Sequence, residues 1–318
     1  MTREAWQLIE SAQRIFLITH VDPDGDAIGS TLALGHALRR MGKECTLACS
    51  DEVPKTLSFL PGAEEFASPP IADHDLAITV DVNAVGRLGR AYEPVVTMGI
   101  SVLNIDHHVT NTRFATLNLV RPQASATAEI VFDLLTEQKM DIDRLLALYL
   151  LTGIVTDTRS FSTASTTPRT LEISSQLVKA GASLIEINEN YYRRKDLGTL
   201  RMWGRMLERM RLDGAVVWSI ETSEMKREFQ PESGNGDGIV NLLATAEEAV
   251  AAIIFKERTD GQIEISIRSR PEYDISPIAV HFGGGGHPQA AGATLSGNLE
   301  TTIPLVLAKA REVLDSRV

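Results

Sequence analysis

Residues 14–30 constrain the fold of this chain more than any other stretch. An apolar run from Ile15 to Ile18 predicts a buried parallel strand, and helical spacing resumes over residues 27–39. Between them stand four side chains that suit hard cations: His20, Asp22, Asp24 and Asp26. In an open α/β sheet the loops at the carboxyl ends of the strands form the ligand crevice. The stretch therefore predicts a strand, a loop and a helix, with half of a metal site in the loop.

The close spacing of these acids supports a metal over a simple helix cap. Three carboxylates within five residues repel one another, and a bound divalent cation removes that cost. The alternative is an acidic turn that caps the next helix, for which Asp is suited and Gly25 gives a tight turn. A cap needs one carboxylate, so this alternative leaves the other acids without a role.

The same pattern returns along the first half of the chain. Further strands are predicted over residues 44–49, 75–80 and 102–105, and helices over 127–139, 143–155 and 168–180. Acids and imidazoles follow four of the elements: His20, Asp24 and Asp26; Asp81; Asp106, His107 and His108; Asp157. Strands alternating with helices predict an α/β fold with a doubly wound parallel sheet. Because the strand ends of such a sheet share one edge, we expect these side chains to converge.

The second half of the chain has a different pattern. Residues 184–210 predict a long charged helix without β signal, as is typical of a segment that connects domains. Strands over 214–221, 248–257 and 262–268 and a final helix over about 299–316 predict a smaller α/β domain. The predicted limits are 1–190 for the domain with the metal site, 191–212 for the helical linker and 213–318 for the substrate-binding domain.

Composition excludes several classes of protein. A formal charge of −11 argues against binding to long duplex nucleic acid, which needs many basic side chains. Two cysteines, Cys45 and Cys49, are too few for a disulfide framework. The first strand follows no apolar leader, and the longest apolar stretch, residues 145–155, is too short to span a bilayer. We therefore expect a cytoplasmic protein without a membrane partner.

The chemistry of the predicted ligands points to a pair of ions. Mixed imidazole and carboxylate ligands favour manganese or a comparable first-row ion over calcium, which prefers oxygen. The ligands are too many for one ion, whereas two ions about 3.5–4 Å apart, bridged by a carboxylate and a hydroxide, would use them all. Such a pair is a usual device for cleaving phosphate esters. The alternative is that each residue is a separate capping or surface group.

A glycine run in the second domain predicts a phosphate pocket. Residues 283–286 are four glycines, followed by His287, and such a run lets backbone N–H groups approach an anion. The preceding predicted strand adds groups suited to phosphate: Ser266, Arg268, Ser269 and Arg270. The alternative is a flexible turn beside ordinary surface ion pairs.

Taken in order, these motifs resemble those of the DHH phosphoesterase family. The matching stretches are HVDPDGDAIGS at residues 20–30, Asp81 after an apolar strand, DHH at 106–108 and TDT at 156–158. GGGGHPQAAGA at residues 283–293 resembles the glycine-rich motif of the family's DHH-associated C-terminal domain. The resemblance spans nearly the whole chain and is strongest to the nanoRNase group. Family II pyrophosphatases share the first domain, but their different C-terminal domain lacks this glycine motif.

The resemblance implies which residues hold two divalent cations, with manganese expected. One ion would be held by His20, Asp24 and Asp81, and the other by Asp26, Asp81, His107 and Asp157, which makes Asp81 the bridge. His108 would face the scissile phosphate, and Asp106 would orient its neighbours. The expected substrate contacts are Arg159, Arg268, Ser269, Gly284, Gly285, Gly286 and His287. Ser125 and Thr127 resemble a further family motif or cap the helix that begins there.

The expected function is hydrolysis of very short oligoribonucleotides to mononucleotides. The nanoRNase group also removes the 3′ phosphate from adenosine 3′,5′-bisphosphate, and the family suggests a homodimer. One alternative is a cyclic or linear dinucleotide phosphodiesterase. Another, of a different class, is a sensor that binds nucleotides or polyphosphate without turnover.

Overall fold

The computed structural model describes residues 2–66, 73–93, 95, 99–231 and 237–315. The chain divides into two compact units, Met1–Arg194 and Lys195–Val318. The domain limits derived from the sequence stay predictions. Within the described residues, no helix combines the length and the apolar character needed to cross a bilayer.

The N-terminal unit is built on a five-stranded parallel sheet. Its strands are β1 (Arg14–Ile18), β2 (Glu44–Ala48), β3 (Leu76–Val80), β4 (Ser101–Asp106) and β5 (Leu117–Val120), in the order β2-β1-β3-β4-β5. All neighbouring pairs run parallel, which confirms the α/β prediction. β5 was not predicted, because four residues with a central Asn118 carry too little pattern to mark a strand.

Helices cover one face of this sheet. They are α1 (Thr2–Ser11), α2 (Gly25–Arg40), α3 (Thr127–Glu137), α4 (Arg144–Asp157), α5 (Pro168–Lys179) and α6 (Leu184–Asn188). α4 is buried on nearly all sides and forms the centre of the larger core. The other face carries a smaller core that includes Phe16, Ile18 and Leu88. Leu88 follows a short 3-10 turn, Val85–Arg87, after β3.

Glycines allow α2 and α4 to pack closely. A Cβ on Gly29 would lie 2.5 Å from the carbonyl oxygen of Tyr149. A Cβ on Gly153 would lie 2.6 Å from Oδ1 of Asp26 and 2.7 Å from Cβ of Ala128. Real Cβ atoms essentially never approach closer than 3.0 Å, so these positions require glycine. The close packing brings the first turn of α2 beside the second half of α4.

The predicted continuous helix over residues 184–210 is wrong. α6 passes into a π turn, Glu189–Arg193, and a new helix, α7 (Leu197–Glu208), begins after Asp196. Asp196 caps α7, because its side chain accepts a hydrogen bond from the Thr199 N–H. Met202 and Met206 on α7 are buried in the core of the C-terminal unit.

The C-terminal unit contains a six-stranded mixed sheet in the order β10-β11-β9-β8-β7-β6. The strands are β6 (Arg211–Asp213), β7 (Val216–Glu221), β8 (Ala251–Glu257), β9 (Gln262–Ser269), β10 (Gly285–His287) and β11 (Ala290–Ser296). Among the described strands β7 and β8 run parallel, and the other neighbours are antiparallel. The remaining helices are α8 (Ser223–Phe229), α9 (Asp237–Leu243), α10 (Ser276–His281) and α11 (Leu299–Asp315). Two cores, one on each face, hold this unit together.

Candidate metal centre

His20, Asp24 and Asp81 form the first group of possible ligands. His20 follows β1, and Asp24 caps α2 by accepting hydrogen bonds from the N–H groups of Asp26 and Ala27, each at 3.0 Å. Nε2 of His20 lies 3.6 Å from Oδ2 of Asp81 and 4.0 Å from Oδ1 of Asp24. One ligand atom from each residue lies within 4.8 Å of the other two, so one cation could contact all three.

Asp81 stands at the centre of the site. It follows β3 in the left-handed backbone region, with φ of 62°, and its N–H donates to the Ile105 carbonyl at 2.9 Å. Its carboxylate is 2% exposed, and its Oδ1 lies 3.7 Å from Nε2 of His107 and 3.6 Å from Nδ1 of His108. Asp81 belongs to the ligand groups of His20, of Asp26 with His107 and of Asp106 with His108. A carboxylate that bridges two cations would have to belong to the ligand groups of both, as Asp81 does.

Asp26 is fixed by a helix other than its own. Its Oδ1 accepts hydrogen bonds from the Ser30 hydroxyl at 3.0 Å and from the Ala128 N–H at 2.9 Å. Its Oδ2 accepts from the Thr127 N–H. The residue at the N-cap of α3 is Ala126, which has no side-chain cap, so Asp26 takes that role across the tertiary fold.

His107 and Asp157 complete the second group. Nε2 of His107 lies 3.4 Å from Oδ2 of Asp157, the last residue of α4. Ligand atoms of Asp26, Asp81 and His107 lie within 4.8 Å of one another. The ends of β1, β3, β4 and α4 thus bring together all six metal ligands expected from the sequence: His20, Asp24, Asp26, Asp81, His107 and Asp157.

Both imidazoles are held through Nδ1. Nδ1 of His20 lies 2.8 Å from the Val21 carbonyl oxygen, and Nδ1 of His107 lies 3.2 Å from that of Ala124. A neutral ring that donates from Nδ1 keeps a lone pair on Nε2. In both residues Nε2 faces carboxylate oxygens. The lone pair on Nε2 and the carboxylate repel each other unless a cation lies between them. Metal-ligating histidines are commonly oriented by such carbonyl contacts.

The pKa shifts of the acids support the same conclusion. Burial raises the pKa of Asp26 well above its ordinary value, and repulsion from Asp81 and Asp157 adds to this. Burial likewise raises the pKa of Asp157, with repulsion from Asp24 and Asp81. Burial would raise the pKa of Asp81 too, but without a cation its contact with His20 and the charges of protonated His108 and His107 hold it well below its usual range. Divalent cations would stabilise all three carboxylates in the ionised form, so the donor set fits them.

His108 and Asp106 form a tight pair beside these ligands. Nδ1 of His108 lies 2.7 Å from Oδ1 of Asp106, and the Asn111 amide donates to Oδ2 of Asp106 at 2.5 Å. Burial alone would lower the pKa of His108, but the hydrogen bond with Asp106 and the charge of Asp81 raise it to about 10. His108 is therefore a proton-carrying donor in this environment.

Arg159 follows Asp157 in an unusual turn. Arg159, Ser160 and Phe161 all have left-handed φ, at 46°, 57° and 67°. The Ser160 hydroxyl donates to Oδ1 of Asn188 at 2.9 Å, which holds the turn. The positive charge of Arg159 acts on the Asp157 carboxyl and opposes the rise of its pKa that burial causes. The turn therefore keeps a cationic side chain near the site, and its assignment to phosphate binding stays a prediction.

Thr127 has a larger part in the site than the sequence indicated. Its hydroxyl donates to Oδ1 of Asp81 at 2.8 Å, while its N–H donates to Asp26. Its position at the start of α3 was visible in the sequence, but its contact with Asp81, 46 residues away, was not. Asn111, which is half-buried in the loop after β4, was not predicted, because a loop residue carries no pattern that reveals a tertiary contact.

Three residues that the sequence assigns to a phosphate pocket, Arg268, Gly285 and His287, belong to neighbouring strands of the second sheet. In register, His287 pairs with Ala290 and Ala290 with Arg268, so His287 and Arg268 share a face with a small residue between them. A Cβ on Gly285 would meet nothing within 4 Å, which leaves open space at that residue. This face therefore carries an imidazole, open space at Gly285 and a basic side chain, which itself donates to Oδ1 of Asn241 at 3.2 Å and to the Ile267 carbonyl at 2.9 Å.

Three other residues of that pocket make structural contacts. A Cβ on Gly284 would lie 2.1 Å from the Gly292 carbonyl oxygen, and one on Gly286 would lie 2.4 Å from that of Ala290. The Ser269 hydroxyl donates to the Tyr273 carbonyl at 2.6 Å. The assignment of all seven residues to substrate binding stays a prediction: Arg159, Arg268, Ser269, Gly284, Gly285, Gly286 and His287.

Comparison with known proteins gives two family matches and close relatives. Residues 14–154 match the DHH family, N-terminal domain, and residues 223–316 match the DHHA1 domain. The bifunctional oligoribonuclease and PAP phosphatase NrnA of Thermus thermophilus is 36% identical over 94% of this chain and 90% of its own. The cyclic-di-AMP phosphodiesterase GdpP of Geobacillus thermodenitrificans is 26% identical over 91% of this chain, but only 46% of its own length is matched.

A solved structure agrees with these two family matches. The exopolyphosphatase-related protein of Bacteroides fragilis superimposes with a TM-score of 0.89 at 28% identity, covering 98% of this chain and 95% of that one. The order of the ligand-bearing elements, the matches in both halves and the full-length relative agree. The chain therefore belongs to the DHH family of phosphoesterases and carries a DHHA1 domain in its second half.

Proposed function

We propose that this protein is a manganese-dependent phosphodiesterase that hydrolyses very short oligoribonucleotides to mononucleotides. We further propose that it removes the 3′ phosphate from adenosine 3′,5′-bisphosphate. The observation that carries the proposal is the position of Asp81, whose two carboxylate oxygens face different imidazoles. The similarity to the Thermus thermophilus relative, whose name includes both activities, supports it.

The proposed ligands follow from the two groups of side chains around Asp81. One cation would be held by His20, Asp24 and Asp81, and the other by Asp26, Asp81, His107 and Asp157. Imidazole and carboxylate together favour Mn²⁺ over calcium. When bound, two such ions would act as Lewis acids toward phosphate oxygens and would lower the pKa of a nearby water.

His108 would act as the proton donor in this reaction. Asp106 accepts a hydrogen bond from Nδ1 of His108, so Nε2 is the donor left for substrate. The hydrogen bond to Asp106 favours the protonated ring, whose Nε2 would give its proton to the leaving oxygen as the bond from phosphorus to that oxygen breaks. Asp106 and Asn111 would hold the ring in one orientation, which makes them positioning residues.

The proposed recognition of substrate uses few charged groups. Arg268, His287 and Gly285 in the second unit, and Arg159 beside Asp157 in the first, would contact phosphate. The formal charge of −11 gives no continuous basic track for a long strand. We therefore propose a substrate of only a few nucleotides. A homodimer and a cytoplasmic location stay predictions.

The test compares substrates and variants in one assay. Metal-free protein is supplied with Mn²⁺ and offered 5′-labelled RNA of two to ten nucleotides, cyclic dinucleotides and adenosine 3′,5′-bisphosphate. We expect turnover of the shortest RNA and of the bisphosphate, loss in Asp81→Ala and His107→Ala, and full activity in the exposed control Glu228→Ala.

Three outcomes would contradict this proposal. Hydrolysis of cyclic dinucleotides in preference to RNA would favour the activity named for the Geobacillus thermodenitrificans relative. Binding of nucleotides without hydrolysis would favour a sensor. Hydrolysis of none of these phosphoesters by the wild type with Mn²⁺ would exclude the enzyme.

A further inference from the structure

Arg87 has a fixed backbone close to the candidate metal centre. Its carbonyl oxygen accepts a hydrogen bond from the Val21 N–H at 2.7 Å. The next residue, Leu88, is buried, and its carbonyl oxygen accepts from the Ser50 hydroxyl at 2.8 Å. The segment after β3 is thus attached to the loop after β1, the loop that carries His20.

The guanidinium of Arg87 lies against the side of His20 that faces away from the carboxylates. Its Nη2 donates to the Val21 carbonyl oxygen at 3.2 Å and lies 3.2 Å from Nδ1 of His20. The same carbonyl oxygen lies 2.8 Å from Nδ1 of His20. The guanidinium, Nδ1 of the imidazole and the Val21 carbonyl oxygen therefore lie within hydrogen-bond distance of one another.

This arrangement limits the position of His20. The Val21 carbonyl is in a half-buried loop, where a single hydrogen bond would hold the ring weakly. The guanidinium fixes this carbonyl oxygen and adds a second contact on the Nδ1 side of the ring. Nε2, on the opposite side of the ring, is thereby held facing Asp24 and Asp81.

We propose that Arg87 is a positioning residue for His20 and that it sets the affinity of the first cation site. This inference rests on the cation site of the proposed function. Removal of groups that orient metal-ligating histidines typically weakens metal binding by about 10- to 100-fold. The substrate does not contact Arg87 in this proposal, so the effect is on the metal and disappears when the metal saturates the site.

The test uses Arg87→Met, which keeps the length of the side chain and removes its donors. Arg87→Lys serves as the conservative variant, and Arg90→Ala is the matched control, an exposed arginine in the same segment. Calorimetric titration of metal-free protein with Mn²⁺ gives the affinity directly. Hydrolysis of adenosine 3′,5′-bisphosphate at increasing Mn²⁺ gives kcat and KM.

We expect Arg87→Met to bind Mn²⁺ about 10-fold or more weakly. Its kcat and KM should reach the wild-type values at saturating Mn²⁺, Arg87→Lys should recover part of the affinity, and Arg90→Ala should match the wild type. Mn²⁺ affinity equal to that of the wild type in Arg87→Met would overturn the inference and leave the proposed function intact. So would a raised KM that persists at saturating metal, since that result assigns Arg87 to the substrate.

Two further results would also decide the inference about Arg87. If Arg87→Met does not fold, Arg87→Ala decides, and wild-type Mn²⁺ affinity in that variant overturns the inference. A wild-type protein that binds no Mn²⁺ overturns both this inference and the proposed function.

Discussion

Replacing Gly153 with alanine tests whether the packing of α4 sets the geometry of the site. The added Cβ would lie 2.6 Å from Oδ1 of Asp26 and 2.7 Å from Cβ of Ala128, whereas ordinary contacts lie at 3.4–4 Å. α4 or its neighbours must therefore move by about 1 Å to remove the overlap. Both sides of the overlap belong to the site, because Asp26 is a proposed ligand and Ala128 donates its N–H to Asp26.

The expected magnitudes separate stability from activity. Overpacking of this kind costs about 1–3 kcal/mol, and the better helix propensity of alanine returns about 1 kcal/mol. The free energy of unfolding should thus fall by up to about 2 kcal/mol. A displacement of about 1 Å at reacting groups can lower the rate by about 100-fold, so activity should fall far more than stability.

The matched control is Gly204→Ala in α7. A Cβ on Gly204 would meet nothing within 4 Å, so this variant should gain about 0.5–1 kcal/mol in unfolding free energy and keep full activity. Urea denaturation, Mn²⁺ titration and kcat/KM for adenosine 3′,5′-bisphosphate are measured for both variants. If Gly153→Ala matches Gly204→Ala in unfolding free energy, Mn²⁺ affinity and kcat/KM, the close packing at Asp26 does not constrain the site. That result would refute the reasoning.

Four further predictions concern individual contacts. Thr127→Val should weaken Mn²⁺ binding by about 10-fold in calorimetry, because the hydroxyl on Asp81 is lost, and Thr127→Ser should restore it; equal affinity in both would contradict this. Asp26→Ala should lower the urea unfolding free energy of the metal-free protein by about 1–3 kcal/mol, because two N–H groups of α3 lose their acceptor; an unchanged value would show that relief of repulsion offsets the loss. Burial would raise the pKa of Asp143, but hydrogen bonds from Leu146 and His36 hold it below its ordinary value, so its contribution to stability is present above about pH 4 and lost as the pH falls further. The difference in melting temperature between wild type and Asp143→Ala should therefore shrink as the pH falls below about 4. A difference that grows in this range would contradict the prediction. Chelation of Mn²⁺ from protein held at a free Mn²⁺ concentration of 100 times Kd should lower the free energy of unfolding by about 2.7 kcal/mol. An unchanged melting curve would argue against a bound cation.

The convergence of the proposed ligands could be predicted from sequence because these residues follow strands that are themselves easy to detect. His20, Asp81 and His107 each come directly after an apolar run, and parallel topology places such ends at one edge of a sheet. The alternation of strands and helices likewise predicted the α/β class. Both predictions depend on patterns within short stretches of the chain.

The contacts that orient the ligands could not be predicted in this way. Thr127 donates to Asp81 and Asn111 to Asp106 only because separate segments meet in the folded chain. The break between α6 and α7 was missed because the residues around it favour helix, while Asp196 begins a new helix that packs into another core. Local sequence patterns thus predicted the proposed ligands better than the residues that orient them.

The left-handed turn after Asp157 has a consequence for the smallest fragment that can hold the site. Three consecutive residues in that conformation cost about 1–2 kcal/mol each, so other parts of the chain must stabilise them. Asn188 accepts from Ser160, and the Tyr192 hydroxyl donates to the carbonyls of Val155 and Thr156 at 3.1 Å. A chain cut between α5 and α6 would keep every proposed metal ligand but lose this brace. An autonomous catalytic half must therefore extend through Tyr192, well beyond residue 154, where the match to the DHH domain ends.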